Sequence, residues 1–139
     1  MSSNNKIMTD KAPEPVGAYV HARKAGGLLF LAGVGPRKPG TKEIPGVHMD
    51  ASGKVLSYDI TMQTESVIQN IKTILEASGS SLEKIVDVQV FLTDMKKDFQ
   101  IFNHIYAKHL GAVGATRTTI EVGSLPTPIA VEFKVIAEQ

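Results

Sequence analysis

The sequence predicts a two-layer α+β domain, a mixed β-sheet with two helices packed side by side on one face. Two observations carry this. Segments of strand and helix periodicity follow one another in the order strand, strand, long loop, helix, strand, helix, strand, strand. Each helix has a single apolar stripe, and two helices cannot cover both faces of the sheet. The other face is left partly apolar, so it is expected to pack against further copies of the chain. The 139 residues fit one domain, 1–139, with room for a core.

Each element has its own signal. Residues 1–15 read as a polar lead-in. Strand candidates over 18–23 and 28–34 are joined by Lys24-Ala25-Gly26-Gly27, a tight hairpin. Gly33-Val34-Gly35-Pro36 breaks the second strand. Residues 37–55 are the longest irregular stretch, with glycines, prolines and mixed charge, and a lid or pocket wall is expected there. In the first helix Ile60, Val67, Ile68, Ile71, Ile74 and Leu75 share one face. Ser57 or Asp59 caps its start and Gly79 stops it. Residues 85–92 form a strand in which Val86, Val88, Val90 and Leu92 alternate with Asp87 and Gln89. The second helix, about 98–110, buries Phe99, Phe102, Tyr106 and Leu110 and ends before Gly111.

The last two strands hold the reactive groups. Over 117–122, Ile120 and Val122 point one way and Arg117, Thr119 and Glu121 the other. After the turn signals of 123–128, Ile129, Val131, Phe133 and Val135 form an apolar face with Glu132 opposite. Pairing as a hairpin would set Thr119 nearly opposite Glu132, with Arg117 one diagonal step away. A guanidinium and a carboxylate would then face one space, although register is not fixed by the sequence. The bland alternative is a cross-strand ion pair.

Composition narrows the chemistry. A net charge of +1 gives no long-range attraction to nucleic acid. No apolar run approaches membrane-spanning length, and the first residues lack the apolar core of a signal peptide, so a cytoplasmic location is expected. With no cysteine, disulfides and thiolate chemistry are excluded. His21, His48, His104 and His109 lack metal-ligand spacing, and no phosphate-binding loop or serine nucleophile elbow is present. The expected reaction uses hydrogen bonds, charge and water, with no metal and no cofactor.

Several stretches carry a resemblance. Val16-Gly17-Ala18-Tyr19-Val20-His21, Phe30-Leu31-Ala32-Gly33, Val90-Phe91-Leu92-Thr93-Asp94-Met95, Ala115-Thr116-Arg117 and Leu125-Pro126 with Val131-Glu132 are similar to the reactive intermediate/imine deaminase (Rid, YjgF-like) family. The resemblance implies a chorismate-mutase-like fold, a homotrimer with active sites between subunits, and a small enamine or imine carboxylate as substrate. It further implies that Arg117 grips the carboxylate and Glu132 orients a water. Tyr19 and Asn103 would line the pocket, and main chain near Gly33 would face the substrate. Within the family the chain is most similar to 2-aminomuconate deaminases of bacterial aromatic degradation, on Tyr19-Val20-His21, Pro36-Arg37-Lys38-Pro39, the 46–53 loop and Arg117-Thr118-Thr119. A dicarboxylate of that kind requires a second cation or donor, for which Arg37, His21 and His48 are the candidates. Thr118 and Thr119 stand where archetypal members more often carry Ser and Cys, and Val34 replaces a common Gln. The alternatives are a housekeeping 2-iminobutanoate or 2-aminoacrylate deaminase and a non-catalytic trimer that binds a small carboxylate.

Overall fold

A computed structural model describes residues 5–139. Its strands are β1 (Lys6–Ile7), β2 (Ala22–Ala25), β3 (Leu28–Leu31), β4 (His48–Met49), β5 (Val55–Ser57), β6 (Ile85–Leu92), β7 (Thr116–Glu121) and β8 (Val131–Glu138). Its helices are α1 (Ile60–Ala77) and α2 (Met95–Leu110). Six strands form one sheet in the order β1-β2-β3-β8-β6-β7, and β4 with β5 forms a separate ribbon. The long β8 alternates throughout and β6 does so from Val88 onward; both take the centre, while β7 runs parallel to β6 at one edge. The two-layer α+β architecture matches the expectation.

Local chemistry sets the element ends. Gly26 and Gly27, with φ of 58° and 78°, form the two-residue turn between β2 and β3, a conformation that favours glycine. Asp59, not Ser57, caps α1 by accepting from the Met62 amide at 3.1 Å. Asp94 caps α2 through the Lys97 amide, so that helix starts at Met95, earlier than the apolar stripe suggested.

Other expectations are corrected. The lead-in contains β1, whose Lys6 and Ile7 pair with Arg23 and Ala22. Residues 18–21 lie outside β2, because the chain turns at Gly17, whose carbonyl accepts from the Tyr19 amide. The irregular stretch 37–55 carries β4 and the start of β5. Val86 leaves the apolar face because a bulge between Ile85 and Asp87 shifts the register of β6 on β8, and it is 44% exposed.

The core lies between one sheet face and the helices. Leu29, Leu31, Val88, Val90, Val131, Phe133 and Val135 meet Val67, Ile71 and Leu75 of α1 and Phe102 of α2. Phe133 is fully buried, edge-on to Phe102 with ring centroids 5.8 Å apart. Phe133→Ala is expected to lower unfolding stability by about 3–5 kcal/mol. Urea titration measures it, and a loss below about 1 kcal/mol would show that this sheet–helix contact does not organise the core.

The opposite sheet face has no helix over it. Phe30, Val86 and Ile120 there are 36%, 44% and 44% exposed. Phe91 and Ile136 on the same face are half-buried. Among the described residues no helix is long and apolar enough to cross a membrane.

Candidate active site

The hairpin expected of the last two strands does not form. β6 lies between β7 and β8, parallel to the first and antiparallel to the second. The connection from β7 to β8 passes over the end of β6, with the Val122 amide on the Leu92 carbonyl and the Thr93 amide on the Ala130 carbonyl. Arg117 pairs with Val88, and Glu132 pairs with Phe91. Side chains alternate along β6, so positions 88 and 91 point to opposite faces. Arg117 therefore lies on the helix face and Glu132 on the open face. Within one protomer the two groups cannot meet over one small substrate.

Arg117 extends from the sheet edge across the aromatic rings of α2. Its guanidinium carbon is 4.6 Å from the ring centre of Tyr106, 5.3 Å from Phe102 and 5.9 Å from Phe99. The residue is half-buried, and no acidic side chain among the described residues pairs with it. Two hydroxyls of this neighbourhood are buried without a hydrogen-bond partner: Oη of Tyr106, and Oγ1 of Thr119, two residues along the same face of β7. Gln63 Nε2 and Thr64 Oγ1 on α1 are also unpartnered. Burial pushes the Tyr106 hydroxyl up, with Asp87 adding to the shift and Arg117 opposing it. The phenol therefore stays a donor at neutral pH. A guanidinium and two spare hydroxyls are the kinds of donor that a carboxylate accepts from.

Glu132 occupies a shallow cavity on the other side. Tyr19, Gly33, Arg37 and Ile129 line it with the carboxylate. Gly33 lets the Glu132 carboxylate approach closely: a Cβ there would lie 2.5 Å from Oε2 of Glu132, so the carboxylate would have to shift. Val34 next to it bridges to Phe133 through two main-chain hydrogen bonds, which hold this close approach. Burial alone raises the Glu132 carboxyl above its ordinary value. Tyr19 is 45% exposed at the rim, and its hydroxyl accepts from the Val16 amide at 3.2 Å.

The remaining expected site residues separate. Arg37 joins the Glu132 cavity. His21 is buried, with Nε2 donating to the Pro13 carbonyl at 2.8 Å and Nδ1 accepting from the Thr9 amide at 3.3 Å. Both ring nitrogens bond the main chain, and His21 lines a small cavity with Tyr19, Gly33 and Arg37. His48 stands exposed on β4 and is absent from the Glu132 cavity. Asn103 is exposed on α2, four residues after Phe99 and three before Tyr106, which sets it on the side bordering Arg117. Sequence reading placed Thr119 on the side of Arg117 but took Tyr106 only as part of the buried stripe of α2. The available signal was a tyrosine, where phenylalanine would suffice, in the buried stripe of α2.

The chain matches the family described as Endoribonuclease L-PSP over residues 9–139. It is 40% identical over 131 residues to a RutC family protein of Pyrococcus horikoshii, covering 94% of each chain. It is 37% identical over 131 residues to the chloroplastic Reactive Intermediate Deaminase A of Arabidopsis thaliana, covering 94% of this chain and 64% of that one. Among solved structures, E. coli TdcF with bound serine superposes with a TM-score of 0.81 at 31% identity, covering 96% of this chain and 98% of that one.

Proposed function

From the premise that this chain belongs to the family described as Endoribonuclease L-PSP, we propose that it is a cofactor-independent hydrolytic deaminase of enamine or imine carboxylic acids. The observation that carries the reading is the cradle at Arg117, a half-buried guanidinium without an acidic partner beside the unpartnered hydroxyls of Tyr106 and Thr119. A substrate carboxylate supplies what all three lack. The name of the Arabidopsis relative and the serine bound to TdcF support the same class of ligand.

Arg117 and Glu132 lie on opposite faces of one sheet, so the proposed site is built from two copies. Arg117 of one copy holds the carboxylate while Glu132 of the next reaches the imine carbon. The exposed Phe30, Val86 and Ile120 on the open face supply apolar surface for such an assembly, which we take to be a cytoplasmic homotrimer. The enamine first tautomerises to the 2-imino acid. The imine reacts as its protonated iminium: Glu132 takes a proton from a water as its oxygen adds to the C=N carbon, giving a neutral carbinolamine. Glu132 then returns that proton to nitrogen and takes the hydroxyl proton as the C=O bond forms, the C–N bond breaks and ammonia leaves the 2-oxo acid. Holding water and imine together supplies much of the acceleration, since imines already react with water. For the finer substrate we propose 2-aminomuconate, supported by the matches at Tyr19-Val20-His21, Pro36-Arg37-Lys38-Pro39 and the 46–53 loop. The alternative is 2-iminobutanoate or 2-aminoacrylate.

Ammonia release from in situ 2-iminobutanoate and 2-aminomuconate tests the activity, and mixing variants tests the shared site. Arg117→Ala and Glu132→Ala should each be inactive alone. Unfolded together at equal amounts and refolded, they should recover about a quarter of parental activity, because random mixing leaves that share of interfaces with both groups intact. No recovery, with both variants folded, would discard the two-copy site. Carboxylate binding without ammonia release in the parent would favour a non-catalytic binding protein.

A further inference from the structure

Three polar side chains, Gln63, Ser66 and Asn70, share one face of α1 at helical spacing. Gln63 and Asn70 are buried and Ser66 is half-buried. Each reaches the main chain of a loop beyond the helix. Asn70 donates its amide to the carbonyls of Gly35 and Arg37, each at 2.9 Å. Between them, Ser66 Oγ donates to the Pro36 carbonyl at 2.7 Å. Gln63 Oε1 accepts from the Ala130 amide at 2.8 Å. A helix that only had to pack would bury apolar side chains here, because a buried amide costs free energy unless its bonds are made.

These bonds divide between two loops, and both loops are walls of the Glu132 cavity. Gly33, Gly35 and Arg37 line it from the chain that leaves β3, and Pro126, Thr127 and Ile129 from the chain that enters β8. The walls also meet each other, since a Cβ on Gly35 would lie 3.0 Å from Cδ1 of Ile129. The carboxylate is packed against the first wall at Gly33. One helix face thus holds both sides of the space in which Glu132 meets water. We infer that Gln63, Ser66 and Asn70 are positioning residues for the deamination, setting the width of the Glu132 cavity and so the placement of the attacking water. This inference rests on the deaminase reading above. The three residues touch no reacting atom and act through the two walls.

The test compares Asn70→Ala, Ser66→Ala and Gln63→Met, the last of which keeps side-chain length without the acceptor. With 2-iminobutanoate generated in situ by an amino-acid oxidase, kcat should fall by about 10–100-fold for Asn70→Ala and Gln63→Met, and several-fold for Ser66→Ala. KM should stay near the parental value, because the carboxylate is held by Arg117 on β7, away from both walls. Ser66→Thr keeps the hydroxyl and should restore most of kcat. Carbon-13 glutamate NMR, with Glu132→Gln identifying the resonance, follows the carboxyl directly. Loosened walls admit water and relieve the burial that raises this group, so its midpoint should move down towards 4.5 in each alanine variant. Leu75→Val, a core truncation on the same helix that bonds neither wall, should lower Tm and leave kcat and the midpoint as in the parent. Folded variants with parental kcat and an unmoved midpoint would overturn the inference. A matching fall for Leu75→Val would also overturn it, by showing that any loosening of α1 suffices. Should Asn70→Ala fail to fold, Ser66→Ala decides. Absence of turnover in the parent would end the deaminase reading by itself; a shifted Glu132 midpoint would then still uphold the positioning, and an unshifted one would overturn it.

Discussion

Replacing Arg117 by alanine is expected to lower kcat/KM for any 2-imino acid by about a thousandfold or more, equivalent to about 4 kcal/mol. The size follows from where the guanidinium sits. It is half-buried against three aromatic rings, so its attraction for a carboxylate is screened less than that of an exposed arginine. Removing it also leaves the substrate carboxylate beside phenyl rings with only the Tyr106 and Thr119 hydroxyls as donors. Lysine restores a charge but not a planar fork, so Arg117→Lys should recover only a small part. Folding should change little, because the lost contact with the rings is offset by removing a charge that no acidic group balances. Steady-state kinetics with a thermal melt checks both statements. An Arg117→Ala enzyme within tenfold of the parent would remove the carboxylate cradle from the proposed site.

Glu132→Gln carries the second large effect, a fall in kcat of about 10²–10⁴-fold. Glutamine fills the same space beside Gly33 but cannot take a proton from water. The pH dependence adds a signature. Burial raises the Glu132 carboxyl above its ordinary 4.5, so the active carboxylate form is lost as pH falls through that raised value. The acid limb of kcat/KM should therefore have its midpoint above 4.5. Stability runs the other way. A carboxyl whose folded-state value lies above its unfolded value contributes stability below the unfolded value, and loses that contribution as pH rises through the folded one. At neutral pH Glu132→Gln should be more stable than the parent, and the difference should close in acid. A variant that melts below the parent at pH 7 would mean that the carboxylate is held by favourable partners.

Much of this molecule was legible in its residues one element at a time. The apolar spacing of Ile60 to Leu75 described α1 and its buried face, and the alternation at Val88, Val90 and Leu92 described the inner face of β6. Gly26-Gly27 marked a turn that the structure contains. The family resemblance singled out Arg117, Glu132, Tyr19, Gly33 and Asn103, with Arg37, His21 and His48 as candidates for a second donor. Tyr19, Gly33, Arg37 and Glu132 line one cavity, while Arg117 lies across the sheet from it. Less was legible where a residue's role depends on distant chain. His21 looked like a polar position on a strand, yet its ring ties Thr9 and Pro13 together beneath the surface. Val86 fitted the apolar alternation until a bulge turned it outward.

By itself the sequence determined periodicity, caps, turns and the kinds of reactive group this chain carries, because those depend on residues within a few positions of one another. Tertiary structure alone decided which strands became neighbours. By placing β6 between β7 and β8, it sent Arg117 to one face of the sheet and Glu132 to the other. A period of two tells which side chains share a face of their own strand, but it is blind to the strand that will be inserted alongside.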